Sequence, residues 1–447
     1  MVAELEALLR QVGEEELGEW LSTRRWFGSK SQELSHFAVL DVVPLRSGGG
    51  ASVACAIFEA RFQAGTHDLY QVLVGSEGGD LIAEVDGTPL YDALAAPEEA
   101  AVLARLMRES AECGPVRFRW TGALEPTGDS PAIRAMGAEQ SNSSIVLDER
   151  LVLKAFRRLE PGSNPELEML RFLSERGFPH IAALGGWYDF SGERIEATLG
   201  VLQEFVHGRD GWEVALEEGA SEEFLGRLQE LGEVTGEMHT VLGSDASDPT
   251  FAPEEPSGET LGLLTATIDE EIERTFLALR DDDDRVAEIA NRGEEVRDRL
   301  QLLSHQSAGG RLIRHHGDYH LGQTLLTREG WVLLDFEGEP ARSLQERRRK
   351  RSPLRDVAGM LRSIAYVASF SGRGAEWEAT ARARFMEGYL GTVEPSLLPA
   401  GEAAVQKLLS IYELEKAVYE LRYELDNRPE WVGIPVAGMV RLLEGEP

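Results

Sequence analysis

The spacing of apolar residues changes period several times along this chain, and the changes mark its organisation. Over residues 1–25, Leu5, Leu8, Leu9, Val12, Leu17 and Leu21 recur at helical spacing among glutamates, predicting an amphipathic helical opening. A basic, aromatic turn follows at residues 24–30 (Arg-Arg-Trp-Phe-Gly-Ser-Lys). Segments 36–46, 51–63, 67–75 and 81–86 are short, alternating or β-branched, and separated by glycine-rich turns, as in a small antiparallel sheet. An alanine-rich helix is expected over about 97–110.

The period-2 pattern returns at residues 138–156. A polar loop, Gln140-Ser141-Asn142-Ser143-Ser144, lies between hairpin strands, and Lys154 stands alone in the apolar run 151–156, where alternation permits exposure. A helix is expected from Pro165, a residue tolerated at the first helical position. Residues 197–205 read as a last strand and 206–212 as a hinge, with Gly208 and Gly211 for bending. Beyond Trp212 the pattern is helical, over 221–242, about 260–303, 354–370 and 402–426. The acidic tetrad at 281–284 is expected to be a solvated turn, since consecutive aspartates cannot all face one ion.

Candidate chemistry concentrates between Arg311 and Arg355. Asp318 is followed five residues later by Gln323, and then by Asp335 at the end of an apolar run and before Phe336 and Glu337. A kinase catalytic loop needs the same set: an aspartate to orient a hydroxyl and take its proton, an amide five residues on, and a second aspartate after a strand, the last two for Mg²⁺. A Gly-Asp turn alone would mean little. His315, His316, Asp318 and His320 could instead suit a transition metal, but no second His or Cys cluster completes such a set. A phosphotransferase is therefore expected, and Lys154 becomes a candidate for the α/β-phosphates of ATP beneath the polar loop.

Composition narrows the partners. The formal charge of −33 over 447 residues disfavours nucleic acid and anionic membrane surfaces, whose phosphates it would repel. Lysine occurs only at 30, 154, 350, 407 and 416, so candidates for a phosphate lysine are few. Cys55 and Cys113 imply no disulfide framework, and with neither a signal peptide nor an 18-residue apolar run in view, a cytoplasmic protein without a membrane partner is expected. The basic run Arg347 to Arg351 stands out in so acidic a chain, as salt-bridging residues or a guard at the entrance for ATP. Lys416, Tyr419 and Tyr423 share one helix face and offer rings and a donor to a sugar, although core tyrosines beside a surface lysine fit the spacing equally well.

Several blocks together carry a resemblance: RRWFGSK, EQSNSSIVL, VLKAFRRLEPGSNPELEMLR, LQEF, HHGDYHLGQTL, LLDFEGEPARSLQERRRKRSPLRDVAGMLRS and ELEKAVYELRYELDNRPEW. They span about residues 20–435, and the chain resembles the bacterial maltokinases, a family within the aminoglycoside-phosphotransferase-like and eukaryotic-kinase-like superfamily. The resemblance implies an α+β, bilobal kinase-like fold. Its parts would be an N-terminal cap subdomain (1–95), a β-rich intermediate subdomain (96–206) and a mostly helical C-lobe (207–447). It implies ATP-dependent phosphorylation of maltose at the anomeric hydroxyl, feeding α-glucan synthesis from trehalose, with a trehalose synthase-type enzyme as a candidate partner. Carried over by motif, Asp318 is the base and Gln323 and Asp335 bind Mg²⁺. Lys154, Gln140, Ser141, Asn142, Ser143, Ser144 and Glu204 serve ATP, with Glu168 as the partner of Lys154, and His316, Lys416, Tyr419 and Tyr423 serve the sugar. A related group phosphorylates glucosamine and carries an acidic-Gly-Asn-Pro variant where this chain has Glu337-Gly338-Glu339-Pro340. A kinase of glucosamine, an aminoglycoside or choline is the alternative, and a non-catalytic scaffold fits less well because the lysine, base and metal aspartate are all present.

Overall fold

The computed structural model describes residues 2–30, 32–45, 53–128, 131–136, 142–279, 283–304, 309–340 and 342–444. The chain divides into two compact units, Met1–Ser174 with Ala182–Val206, and Glu175–Ile181 with His207–Pro447.

The first unit is built on two antiparallel sheets. One runs in the order Leu34–Leu45, Val53–Phe62, His67–Gly75, Thr88–Asp92, Asp80–Val85, with Arg158–Leu159 pairing on His67–Gly75. The expected opening helix is two, Val2–Leu9 and Glu14–Ser22, because Gly13 takes an extended conformation as the cap of the second. The central strand Val53–Phe62 is buried on both faces, as its mix of alanines and larger apolar residues requires. Ala54, Ala56, Phe58 and Ala60 pack under the opening helices with Leu9, Trp20 and Trp26. Val53, Cys55 and Ile57 face the other way, towards the helix Pro97–Arg108 and the second sheet.

That second sheet has the order Glu112–Cys113, Val116–Trp120, Leu184–Ser191, Glu196–Glu204, Leu151–Phe156, Asn142–Leu147, Ile133–Ala135. The expected polar loop is therefore strand from Asn142 onward, with Ser144 opposite Lys154 and Ser143 opposite Ala155. Gln71 stitches the sheets together. Its amide donates to the carbonyls of Phe156 (2.8 Å) and Leu199 (2.5 Å), and its oxygen accepts from the Tyr188 hydroxyl at 3.1 Å.

The second unit is mostly helical around a small sheet of Arg209–Asp210, Thr324–Leu326 and Trp331–Leu333. The stretch expected as helix over about 260–303 is interrupted: Gly258–Ala278 and Gly293–Ser304 are separate helices. Asp281 and Asp282 of the acidic tetrad lie outside the described residues, while Asp283 caps a short turn by accepting from the Arg285 backbone. Helices Glu222–Leu242 and Gly374–Thr392 approach backbone to backbone, since a Cβ at Gly232 would lie 2.1 Å from the Phe385 carbonyl. Helices Leu354–Ser371 and Glu402–Asn427 complete the frame of this unit. Among the described residues no helix is long and apolar enough to cross a membrane.

Candidate active site

The segment His315 to Gln323 has little regular structure, so its shape comes from side chains elsewhere that satisfy its backbone. Asp356, in the first turn of Leu354–Ser371, does most of this. Its buried carboxylate accepts from the backbone N–H of His316 at 2.7 Å and of Gly317 at 2.9 Å, and meets His239 Nε2 at 3.2 Å. Burial opposes its ionisation, yet His315, His239 and His316 around it hold it well below the usual carboxylate range. Arg355 donates to the Gly317 carbonyl at 3.2 Å, and the Ser363 hydroxyl accepts from Leu321 N–H at 3.1 Å. Gly359 lets the loop sit this close, for a Cβ there would lie 2.6 Å from the Tyr319 carbonyl. Asp318 is thus fixed by its neighbours and remains half-buried and accessible.

Gln323 and Asp335, separated by a hairpin in sequence, come together: the Gln323 amide nitrogen lies 3.3 Å from Asp335 Oδ2. Asp335 adopts a left-handed φ of 58°, a conformation aspartate tolerates better than most residues. One amide and one carboxylate suit Mg²⁺, which takes few protein oxygens and completes its shell with water and substrate phosphates. The amide oxygen and nitrogen are interchangeable by a flip, so the group that now donates to Asp335 can present its oxygen to an ion.

His316 requires a correction. It was expected to touch the sugar, but it is 1 % exposed. Its Nε2 donates to the carbonyl of Leu334 at 2.8 Å, and its ring packs on Phe336 with centroids 4.8 Å apart. It ties the loop His315 to Gln323 to the residue that precedes Asp335. The transition-metal alternative also fails among the described residues, where His315, His316, Asp318 and His320 form no convergent ligand group.

Lys416, Tyr419 and Tyr423 lie on one face of Glu402–Asn427, with the two tyrosine rings stacked at 6.4 Å and each more than 40 % exposed. Lys416 is not free: its ammonium meets Glu339 at 2.5 Å. Glu339 also meets Arg342 at 2.6 Å and Arg355 at 3.2 Å. Burial would push the Glu339 carboxyl up, but Lys416, Arg355 and Arg342 hold it well below the usual range. Burial likewise opposes the charge of Lys416, and Glu339 outweighs that and raises it. The Tyr419 phenol is raised by burial first and then by Glu339, with Asp318 near enough to add to the effect. A Cβ at Gly359 would lie 3.9 Å from Lys416 Cε as well as 2.6 Å from the Tyr319 carbonyl, so this helix face comes close to the residue that follows Asp318.

In the first unit, Lys154 is buried, contrary to the exposure that alternation permits, because Leu151–Phe156 has a strand on either side and apolar packing on both faces. The carboxylate placed against its ammonium is Glu166, at 2.9 Å and 1 % exposed, where Glu168 was expected. Two residues along a helix turn the side chain by about 200°. The inward face of Pro165–Glu175 therefore presents Glu166, and Glu168 is only half-buried. Asn142 and Ser144 are buried on the neighbouring strand. Ser143 accepts a hydrogen bond from Arg157 Nε at 2.7 Å, which ties its hydroxyl to the protein. Gln140 and Ser141 lie outside the described residues. Glu204 is exposed at the end of its strand.

Sequence reasoning missed Asp356, Arg355, Glu339 and Glu166 as site-building residues. The signal for three of them was the clustering of charges around apolar positions, since a buried charge needs partners. Arg157 was also unmarked: it pairs with Asp92 at 2.8 Å in nearly complete burial and lies 4.7 Å over the Trp26 ring.

Residues 132–397 match the phosphotransferase enzyme family, and residues 20–106 match the maltokinase N-terminal cap domain. A glucosamine kinase of Streptacidiphilus jiangxiensis is 26% identical over 347 residues, covering 72% of this chain and 75% of the relative. One from Mycolicibacterium smegmatis (strain ATCC 700084 / mc(2)155) is 24% identical, covering 70% and 79%. Among solved structures, a glucosamine kinase in complex with glucosamine, ADP and inorganic phosphate superposes with a TM-score of 0.71 at 18% identity, covering 95% of this chain and 98% of the other. A second crystal form of glucosamine kinase gives 0.74 over 98% and 99%, also at 18% identity. The fold is kinase-like, mixed α+β with antiparallel sheets and many helices. With more than half its length matched, the chain belongs to the phosphotransferase enzyme family.

Proposed function

We propose that the chain transfers the γ-phosphoryl group of ATP to the anomeric hydroxyl of maltose, giving maltose 1-phosphate. The observation that carries the choice of sugar is the match of residues 20–106 to the maltokinase N-terminal cap domain. The chemistry beside Asp318 supports it. Tyr419 and Tyr423 offer ring faces and hydroxyls, Lys416 offers a charge, and the Glu339 carboxylate is already engaged by Lys416, Arg342 and Arg355. A neutral, hydroxyl-rich sugar suits such a surface better than an ammonium, for which Glu339, already engaged by three cations, has no charge to offer.

Phosphoryl transfer passes through a loose transition state, so the protein's task is positioning and charge neutralisation. Asp318 orients the sugar hydroxyl and accepts its proton late in the transfer. Gln323 and Asp335 would hold Mg²⁺, which would supply neutralisation of the phosphate charge. Lys154, fixed by Glu166, contacts the ATP phosphates. Asn142, Ser144 and Glu204 are assigned to the nucleotide with it, and so are Gln140 and Ser141. An enzyme that converts trehalose to maltose would supply the acceptor.

Glucosamine is the second reading, favoured by the names of the relatives. Mass-spectrometric detection of product from ATP with maltose or with glucosamine separates the two. Transfer to maltose supports the proposal. Transfer to glucosamine alone overturns the choice of sugar and leaves the kinase assignment standing.

A further inference from the structure

The basic run Arg347 to Arg351 adjoins the site described above, and three of its five residues also line a separate cavity. This cavity, of about 420 Å³, lies within the second unit and is floored by Leu264, Leu312 and Tyr412, with Leu263 at its rim. The volume falls in the range of small-molecule sites, roughly 300–1,000 Å³. Arg349, Lys350 and Arg351 stand along one side of it. Lys350 is neutralised there by Glu254 at 2.7 Å, which also occupies that carboxylate. Among the described residues, neither Arg349 nor Arg351 has a carboxylate at ion-pair distance. Glu259 also borders the cavity but is exposed to solvent, so the half-buried guanidinium of Arg351 meets no carboxylate at ion-pair distance there, and Glu415 and Glu346 act on it only from farther off.

From this we infer that the cavity binds a small organic anion: an oxyanion, carboxylate or phosphate, carried on an apolar body. The guanidinium forks of Arg351 and Arg349 receive the oxyanion, a geometry matched to two parallel N–H···O bonds. The apolar body lies against Leu264, Leu312 and Tyr412. Burial lowers the pKa of Arg351, and Arg355 and Arg342 add to this while Glu415 opposes it, so an incoming anion meets a charge the fold has left under-neutralised. The site has a route to the catalytic loop. Arg351 and Ile313 exchange both backbone hydrogen bonds at 2.9 Å, two residues before His315. Arg355 and Asp356, which hold Gly317, follow directly on the other side. The proposal is independent of which sugar is phosphorylated.

The test is calorimetric titration of the full chain with phenyl phosphate, benzoate, inorganic phosphate and neutral benzyl alcohol, with a non-hydrolysable ATP analogue present to fill the nucleotide site. Saturable binding of phenyl phosphate or benzoate, much tighter than of inorganic phosphate or benzyl alcohol, is expected, and the stronger of the two names the oxyanion. Arg351→Gln should weaken it by at least about tenfold, as loss of a charged hydrogen-bond partner does. Leu263→Glu, on the exposed rim, should weaken it comparably through charge repulsion in a chain whose melting temperature is unchanged. No saturable binding of either aromatic anion, or binding that Leu263→Glu leaves intact, would overturn the site.

Discussion

Lys154 and Asp318 are held by opposite means. Lys154 sits mid-strand, with Ser144 opposite it on one neighbour and Val201 on the other, so regular ladder bonds fix its backbone. Its charge is met by Glu166. Asp318 lies in a loop whose backbone is tied instead to side chains from a helix: Asp356, Arg355 and Ser363. A ladder tolerates the loss of one side chain because its bonds are between backbones. The loop depends on a few charged groups buried around it, and removing one leaves donors without acceptors.

Five substitutions, one of them followed across pH, sharpen the contrast. The largest effect is expected at the loop. Asp318→Asn keeps its shape and one acceptor but cannot take the proton, so kcat should fall by on the order of 10² to 10⁴. Sugar and nucleotide affinities should stay within several-fold, and a variant with intact kcat but lost nucleotide binding would make Asp318 a metal ligand instead. Asp356→Ala should cost about 3–5 kcal/mol of stability, the scale of breaking a buried charged network. Hydrogen exchange at Gly317 should accelerate with it while strand Leu151–Phe156 stays protected, and equal loss in both places would erase the distinction. Glu166→Gln should act in reverse, reducing protection of that strand by about 1.5–3 kcal/mol, the worth of a charged hydrogen bond, and weakening nucleotide binding without touching Gly317.

The next effect is on acid stability. His315 is buried, and among the described residues neither ring nitrogen has a hydrogen-bond partner. Burial pushes its imidazole down from an ordinary 6.5 to about 3, with Arg355 and Arg351 adding to this against Asp356. The unfolded chain then takes up the proton first, so this contribution is complete above about 6.5 and is lost as pH falls towards about 3. His315→Met should flatten the melting temperature against pH over the upper part of that window. An unchanged slope would assign the sensitivity to other groups. The smallest effect belongs to the sugar face: Tyr419→Ala should raise the KM for sugar several-fold, from about 1 kcal/mol of lost apolar contact, with kcat preserved.

The same contrast governs what the sequence reveals. The strands around Lys154 were legible because alternation and turns report regular structure directly, and the spacing of Gln323 and Asp335 anticipated two side chains that the fold brings to 3.3 Å. What holds them was less so. Glu166 and Glu168 differ only in helical phase, which depends on where the helix begins. Asp356 lies 38 residues beyond Asp318 in an apolar helix, and periodicity carries no information about which backbone N–H a distant carboxylate will meet. His316 shows the reverse error: a histidine beside a catalytic aspartate was expected to touch substrate, and its ring instead donates to the Leu334 carbonyl.

Residues Glu175–Ile181 belong with the second unit although the chain returns to the first at Ala182. Their anchorage is to the strand Trp331–Leu333: Ile181 bridges to Leu333, and His180 Nδ1 meets the Trp331 carbonyl at 2.9 Å. During synthesis this anchor emerges some 150 residues after the segment that needs it. At about 5–20 residues per second the interval is on the order of 10–30 s. The nascent N-terminal half must therefore wait with Phe178 and Ile181, both buried in the finished protein, still without their cover. Slowed translation between codons 206 and 331 would lengthen that exposure, and a nascent chain paused there is where chaperone capture should be strongest.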